Sequence, residues 1–237
     1  MHYVIGDIHN DAERFNRMLD RIGFKKSGAD ADHLYLLGDL FDRGGAAADP
    51  VGVYFTVLGL GDSCTVVEGN HERWLAAYIR TYGLLPARAK KRHPPYPYES
   101  YALLRERLTD VDLLELAGWI LRSMPLQAQL TLGGQRYLFA HAMTSPPTTE
   151  ETDAYYLMGR EDNYDSFLLK GTAGFLSFCG HQHTGGFASY PGAYCDAERP
   201  CVWRNAAGNV YMMDCGCGFA DGRLACFCLE TGERFYV

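Results

Sequence analysis

Apolar residues follow two rhythms in the first third of this 237-residue chain. Short continuous runs, "HYVIG" at 2–6, "HLYLL" at 33–37 and "CTVVE" at 64–68, have the pattern of strands covered on both faces. Between them, apolar positions recur at helical spacing. Phe15, Met18, Leu19 and Ile22 form one such set, with Asn10 or Asp11 as its N-cap and Gly23 at its end. A second helix is predicted from about Pro50 to Leu60, with proline at a favoured first position, and a third in "HERWLAAYIRTYG", closed by Gly83. Strand and helix thus alternate three times, which predicts βαβ units on a parallel sheet.

The rhythm breaks after Gly83. Residues 84–123 contain the basic, proline-rich "RAKKRHPPYPYESY", then helical stretches around Tyr101 to Leu108 and Asp112 to Leu121. The segment has no core of its own, so a helical insertion over one end of the sheet is expected within a single domain spanning 1–237. Strands return from Pro125. Leu126 to Leu132 and Gln135 to His141 form a predicted hairpin around Gly133-Gly134, and further strands are expected at 174–179, 209–214, 223–229 and 234–237.

Composition narrows the partners. A net charge of -7 argues against a nucleic-acid partner, which calls for a basic face. It leaves room for an anionic substrate, because a bound metal can reverse the local sign. No apolar run approaches the roughly 18 residues of a membrane helix, and Met1 leads directly into a strand rather than a leader-like segment. No membrane partner and a cytoplasmic location are therefore expected, with the eight cysteines mostly reduced. Cys215-x-Cys217 and Cys226-x-Cys228 would each put two thiols on one strand face and could together hold zinc. Zinc knuckles more often use two to four intervening residues in turns, so filling of the core is the favoured reading.

The candidate chemistry sits where the strands stop. The first ends "GDIH", the second "GDLFDRG" and the third "GNHE". Side chains at the carboxyl ends of parallel strands converge on one crevice, which would gather Asp7, His9, Asp39, Asp42, Asn70 and His71. Carboxylate, imidazole and amide oxygen suit divalent metals such as manganese, iron or zinc. Five of the eight histidines, His9, His71, His141, His181 and His183, lie at predicted strand ends. One such histidine is ordinarily a hydrogen-bonded loop residue; the joint occurrence points to metal. Glu72 reads as a helix-start residue interacting with the helix dipole.

These blocks, "GDIHN" (6–10), "GDLFDRG" (38–44), "GNHE" (69–72), "HAM" (141–143) and "GHQH" (180–183), resemble the signature of the phosphoprotein phosphatases within the calcineurin-like metallophosphoesterases. The resemblance implies a four-layered α/β/β/α sandwich of two mixed sheets with outer helices. It implies two divalent metal ions, manganese first with iron or zinc as alternatives. Asp7, His9 and Asp39 would hold one ion; Asp39, Asn70, His141 and His181 would hold the other, with Asp39 bridging. His183 stands where many relatives outside the protein-phosphatase branch place a further ligand to the first ion. Two such ions lower the pKa of a shared water and clamp phosphoryl oxygens, so direct attack on phosphorus is implied. His71 would protonate the leaving group, oriented by Asp42. Arg43, and Arg160 in "LMGRED", would grip phosphate.

Asn10 and Met143 depart from the usual glycines. Asn tolerates left-handed geometry, while Met143 would bring bulk near the cleft. The intact Asp-Arg-Gly of the second block favours a serine/threonine protein phosphatase acting on a phosphorylated substrate. The alternative is a diadenosine tetraphosphate or other nucleoside polyphosphate hydrolase; a non-catalytic metal-binding scaffold ranks third. In the insertion, Tyr96, Tyr98 and Tyr101 beside Lys90-Lys91-Arg92 could stack on a base and hold a polyphosphate, against the favoured reading of a solvated loop packed by its own prolines.

Overall fold

The computed structural model describes residues 1–90, 92–159 and 163–237. Its first sheet contains β1 (His2–Ile5), β2 (His33–Leu36), β3 (Cys64–Val66), β10 (Ala225–Cys228) and β11 (Arg234–Tyr236), in the order β11-β10-β1-β2-β3. The three early strands are parallel, as their alternation with helices predicts, whereas β10 joins β1 antiparallel with Tyr3 opposite Cys228. The second sheet contains β4 (Gln127–Leu132), β5 (Gln135–Ala140), β6 (Leu176–Cys179), β7 (Gly192–Tyr194), β8 (Trp203–Asn205) and β9 (Val210–Met212), in the order β4-β5-β6-β9-β8-β7. β4 and β5 form the expected hairpin, and β5, β6 and β9 run parallel.

Alternation along the strands separates the layers. Val4, Tyr35 and Leu37 face the second sheet, where Tyr35 stacks on Phe139 with ring centroids 4.1 Å apart. Tyr3, Ile5, Leu34 and Leu36 enter a core on the opposite face with α1 (Ala12–Ile22), α2 (Pro50–Leu60) and α3 (Asn70–Tyr78). After the short α4 (Ala87–Lys90), the insertion supplies α5 (Ser100–Arg107) and α6 (Asp110–Ser123), whose Leu104, Leu113, Leu116 and Ile120 join that same core. On the outer face of the second sheet, α7 (Asp153–Met158) and α8 (Tyr164–Lys170) pack Tyr155, Tyr156 and Phe167 against Ala140, Cys179 and Met212. The result is the α/β/β/α order of layers.

Local signals fix the helix ends. Asp11, not Asn10, caps α1 by accepting the Arg14 amide at 2.9 Å, and Gly23 ends the helix at φ 60°. α6 starts two residues before its predicted apolar stretch because Thr109 and Asp112 form a reciprocal cap, the Asp112 carboxylate accepting the Thr109 amide at 2.8 Å. Five elements went without a predicted counterpart: α4, α7, α8, β7 and β8. At four, six, seven, three and three residues they are shorter than the window over which a period can be read.

The cysteines fill the core. Cys226 and Cys228 face the helices, but Cys215 enters the core between the sheets while Cys217 joins the helix-side core. The expectation that this first pair shares one strand face is corrected, because β9 ends at Met212 and the chain has left strand geometry. Among the described residues no cysteine belongs to a potential metal group. No described helix is long and apolar enough to cross a membrane.

Candidate metal centre

Five parallel strands deliver their carboxyl ends to one edge of the sandwich. Asp7 and His9 follow β1, Asp39 follows β2, Asn70 opens α3 just after β3, His141 follows β5 and His181 follows β6. Ligand atoms of Asp7, His9 and Asp39 all lie within 4.8 Å of one another, as do those of Asp39, His141 and His181. Asp39 is common to both groups. His9 Nε2 is 3.9 Å from Asp7 Oδ2 and 4.0 Å from Asp39 Oδ2. His141 Nε2 is 3.0 Å from Asn70 Oδ1, 3.3 Å from Asp39 Oδ1 and 3.1 Å from His181 Nδ1. With metal–ligand bonds of about 2.1 Å, atoms around one ion lie about 3–4 Å apart, so both groups fit a divalent cation. The tautomers fit as well: His9 Nδ1 donates to the Phe41 carbonyl at 3.1 Å and His141 Nδ1 to that of Leu37 at 2.7 Å, leaving each Nε2 for the site.

The backbone around these residues is bent into an unusual conformation. All the described non-glycine residues with positive φ belong to these loops: His9, Asn10, Asp39, Asp42, Arg43 and His181, between 48° and 69°. Each costs about 1 kcal/mol or more, and such strain persists only where surrounding bonds over-determine it. Glu72 provides much of that restraint. Its fully buried carboxylate accepts the amides of Asp39 at 2.7 Å, Leu40 at 2.7 Å and Gly69 at 2.9 Å. The helix-start reading of Glu72 therefore captures its position but misses its grip on the second loop. Glycine permits the closest approaches: a Cβ on Gly180 would fall 2.1 Å from Asp7 Oδ1, and one on Gly69 would fall 2.4 Å from the Asp39 amide nitrogen.

Charge within the cluster is unbalanced without a cation. Burial, reinforced by the Asp214 carboxylate, raises the Asp7 pKa well above the usual range. Burial pushes Asp39 the same way, but His141, with His71 and His9 beside it, outweighs that and holds Asp39 below the usual range. His141 is raised to about 10, the Asp39 charge overcoming burial, while His181 is lowered to about 3 by burial and the neighbouring His141 charge. Near pH 7 His141 thus holds a proton at a position a cation would take, and burial biases Asp7 the same way. Metal loading of the metal-free protein is expected to release on the order of one proton per chain, and metal affinity to weaken as pH falls. Calorimetric titration in buffers of different ionisation heat reads this directly; a buffer-independent heat would contradict it.

His71 stands beside the cluster without belonging to either group. Its Nδ1 is 2.8 Å from Asp42 Oδ2, and its fully buried Nε2 lies 3.8 Å from Asp39 Oδ2 with no hydrogen-bond partner among the described residues. The same Asp42 oxygen accepts the Tyr96 hydroxyl at 2.6 Å. Ser100 Oγ accepts the Asp42 amide at 2.8 Å and bonds Asn10, while Glu99 accepts the Gly44 amide at 2.8 Å. The insertion is therefore fastened to the first two loops of the site. Sequence reasoning missed the parts played by Tyr96, Glu99 and Ser100, for no periodicity marks a loop that docks. It also passed over Asp214, buried just past β9, although that residue ends a predicted strand in "MMDCG".

The remaining candidates divide. Arg43 is exposed, its guanidinium carbon 5.9 Å from the centre of the Tyr98 ring. His183 is exposed outside both groups, its Nδ1 accepting the Gly185 amide at 3.2 Å and its ring 6.4 Å from that of Phe219. Arg160 lies outside the described residues. Asn10 takes the left-handed conformation, φ 63°, that its side chain tolerates. Met143 does not bulk the cleft: it is fully buried in the core under α7 and α8, because the chain turns inward after His141. Tyr101 hydrogen-bonds the Gly83 carbonyl, at the end of the turn that follows α3.

The family model described as calcineurin-like phosphoesterase matches residues 3–202. The symmetrical bis(5'-nucleosyl)-tetraphosphatase of Acidovorax sp. (strain JS42) is 36% identical over 154 residues, covering 65% of this chain and 48% of its own length. That of Aromatoleum aromaticum is 34% identical over 149 residues, covering 63% and 46%. The chain spans about half the length of the curated relatives it matches. Among solved structures, one provisionally named a diadenosine tetraphosphatase superposes with a TM-score of 0.63 at 17% identity, covering all of this chain and 92% of its own. A serine/threonine phosphatase from Saccharomyces cerevisiae superposes with a TM-score of 0.56 at 12% identity, covering all of this chain and 78% of its own. At such identities these two likenesses speak for the fold alone.

Proposed function

The chain belongs to the calcineurin-like phosphoesterase family, and from that premise we propose that it hydrolyses nucleoside polyphosphates of the diadenosine tetraphosphate kind, using two divalent metal ions. The observation that carries the hydrolytic reading is the pair of ligand groups sharing Asp39 beside a buried, unpartnered His71 Nε2. Bound divalent ions would supply an activated water and neutralise phosphoryl charge. Asp7, His9 and Asp39 would hold one ion, and Asp39, Asn70, His141 and His181 the other. The exposed His183 takes no part in this assignment.

The protein's own groups do the rest. His71 Nε2 faces the reacting phosphoryl group and delivers a proton to the departing oxygen, while the Asp42 carboxylate fixes the ring and Tyr96 fixes Asp42. Arg43, at the exposed margin, offers a planar fork to phosphate oxygens.

For the substrate, relatives 34–36% identical carry the name symmetrical tetraphosphatase, which supports the nucleotide alternative above the serine/threonine phosphatase favoured by the Asp-Arg-Gly block. Asp42 serves either reading, since its task is to orient His71. The test is a comparison of diadenosine tetraphosphate with a panel of phosphoserine and phosphothreonine peptides on manganese-loaded protein. Higher kcat/KM on the nucleotide, with one water consumed and two ADP formed, is expected. Higher kcat/KM on the peptides would return the assignment to a protein phosphatase.

A further inference from the structure

We infer that Trp74 and Tyr98, with the apolar groove beside them, form a subsite for one nucleobase of the substrate; this rests on the nucleotide reading and deepens it. The two rings are parallel within 5°, with centroids 6.4 Å apart. Both border the proton donor: Trp74 is 5.0 Å and Tyr98 4.7 Å from the His71 ring, each tilted to it. Trp74 lies one turn beyond His71 on α3 and is 39% exposed. A large ring left open beside a reaction centre is a surface for another ring.

The groove continues from Trp74 past Tyr78 to Tyr96 and the prolines 94, 95 and 97, a volume of about 380 Å³ with no charged residue among the described residues that line it. That size and character suit an uncharged planar heterocycle and not a phosphate. A cation stands on the other side: Arg43, next in the chain to the Asp42 that holds His71, lies 5.9 Å from the Tyr98 ring centre. Charge and stacking surfaces are thus laid out in the order of a nucleotide, base on the aromatic side and phosphates on the metal side.

The subsite is also held in place. Tyr96 hydrogen-bonds Asp42, Glu99 bonds the Gly44 amide and Ser100 the Asp42 amide, so the loop carrying Tyr98 is fixed to the catalytic loop. His93 packs on Tyr82, ring centroids 4.3 Å apart, at the far end of the same loop. A preformed surface binds at lower entropic cost than one ordered on contact. The loop is solvent-exposed at 92–95 and at Pro97, as expected; what the expectation lacked is its anchoring, with Tyr96 bonded to Asp42 and Tyr98 packed on His71.

The test uses Trp74→Leu and Tyr98→Leu, with Trp74→Phe and Tyr98→Phe as conservative partners. The readout is the ratio of kcat/KM for diadenosine tetraphosphate to that for inorganic tetraphosphate. The leucine variants are expected to lower the ratio by about 10- to 100-fold, the range for loss of one base–aromatic stack, and the phenylalanine variants to restore most of it. Equilibrium binding of ADP against pyrophosphate gives a readout without turnover, with the ADP preference lost in the leucine variants. Ratios within twofold of wild type, together with an unchanged ADP preference, would overturn the subsite while leaving nucleotide hydrolysis standing. A larger loss on a phosphopeptide than on the nucleotide would also overturn it, assigning the groove to a peptide side chain. If the wild type does not cleave the tetraphosphate but its ADP preference depends on Trp74, the subsite stands and the substrate assignment alone falls.

Discussion

Replacing His71 with asparagine is expected to lower kcat by about 10²–10⁴-fold while metal content stays at the wild-type level. One bond and one absence lead to this result. Nδ1 is held by Asp42 at 2.8 Å, which fixes the ring; Nε2 is fully buried, lies 3.8 Å from Asp39 Oδ2 and has no hydrogen-bond partner among the described residues. An imidazole nitrogen left unpaired in such a place is destabilising by about 1–3 kcal/mol unless something else completes it. A phosphoryl oxygen that leaves with a proton would do so. Asparagine keeps a polar group at the position but has no proton to give. Kinetics on diadenosine tetraphosphate, with elemental analysis of the same preparation, checks both halves. Near wild-type kcat would remove His71 from the role of proton donor.

Replacing Asp39 with asparagine is expected to reduce bound metal from two ions per chain to below one, and to remove measurable turnover. Asp39 is the only carboxylate in the group with His141 and His181, and it is shared with the group of Asp7 and His9. Losing its charge weakens both groups at once, and the amide also disturbs the arrangement that keeps His141 protonated in the metal-free state. The fold should survive, because Glu72 grips the second loop through backbone amides that the substitution leaves in place. Elemental analysis reads the metal, and thermal unfolding of the metal-free variant reads the fold. Two ions retained in a folded Asp39→Asn protein would strip Asp39 of its shared role.

What the sequence made legible was the part governed by short-range rules. The parallel strands β1 to β3 announce themselves as continuous apolar runs, and the residues just past them, Asp7, Asp39 and Asn70, inherit a common edge from strand direction alone. The hairpin of β4 and β5 was equally plain from Gly133-Gly134 between an alternating stretch and a continuous apolar one. Less visible was anything that depends on a loop returning over distance. Tyr96 meets Asp42 across 54 residues, and Ser100 meets Asn10 across 90; the tyrosines were noticed as a cluster, but their partners were not. Nor could periodicity show that Cys215 and Cys217 part company beyond β9. Backbone strain was equally hidden: Asp39 and Asp42 adopt left-handed φ although neither is glycine, because long-range bonds such as those from Glu72 and Ser100 hold them there. The substrate was illegible for a related reason. The Asp-Arg-Gly block bears on how His71 is oriented, through Asp42, and says nothing of what lies beyond the phosphate.

Anomalous scattering from crystals soaked in manganese tests the shared-carboxylate centre most directly. The account predicts two peaks about 3.5–4 Å apart, the spacing of paired metals in such hydrolytic sites, with Asp39 contacting both, Asp7 and His9 on one side, and Asn70, His141 and His181 on the other. A single peak, or two peaks of which neither touches Asp39, would contradict it.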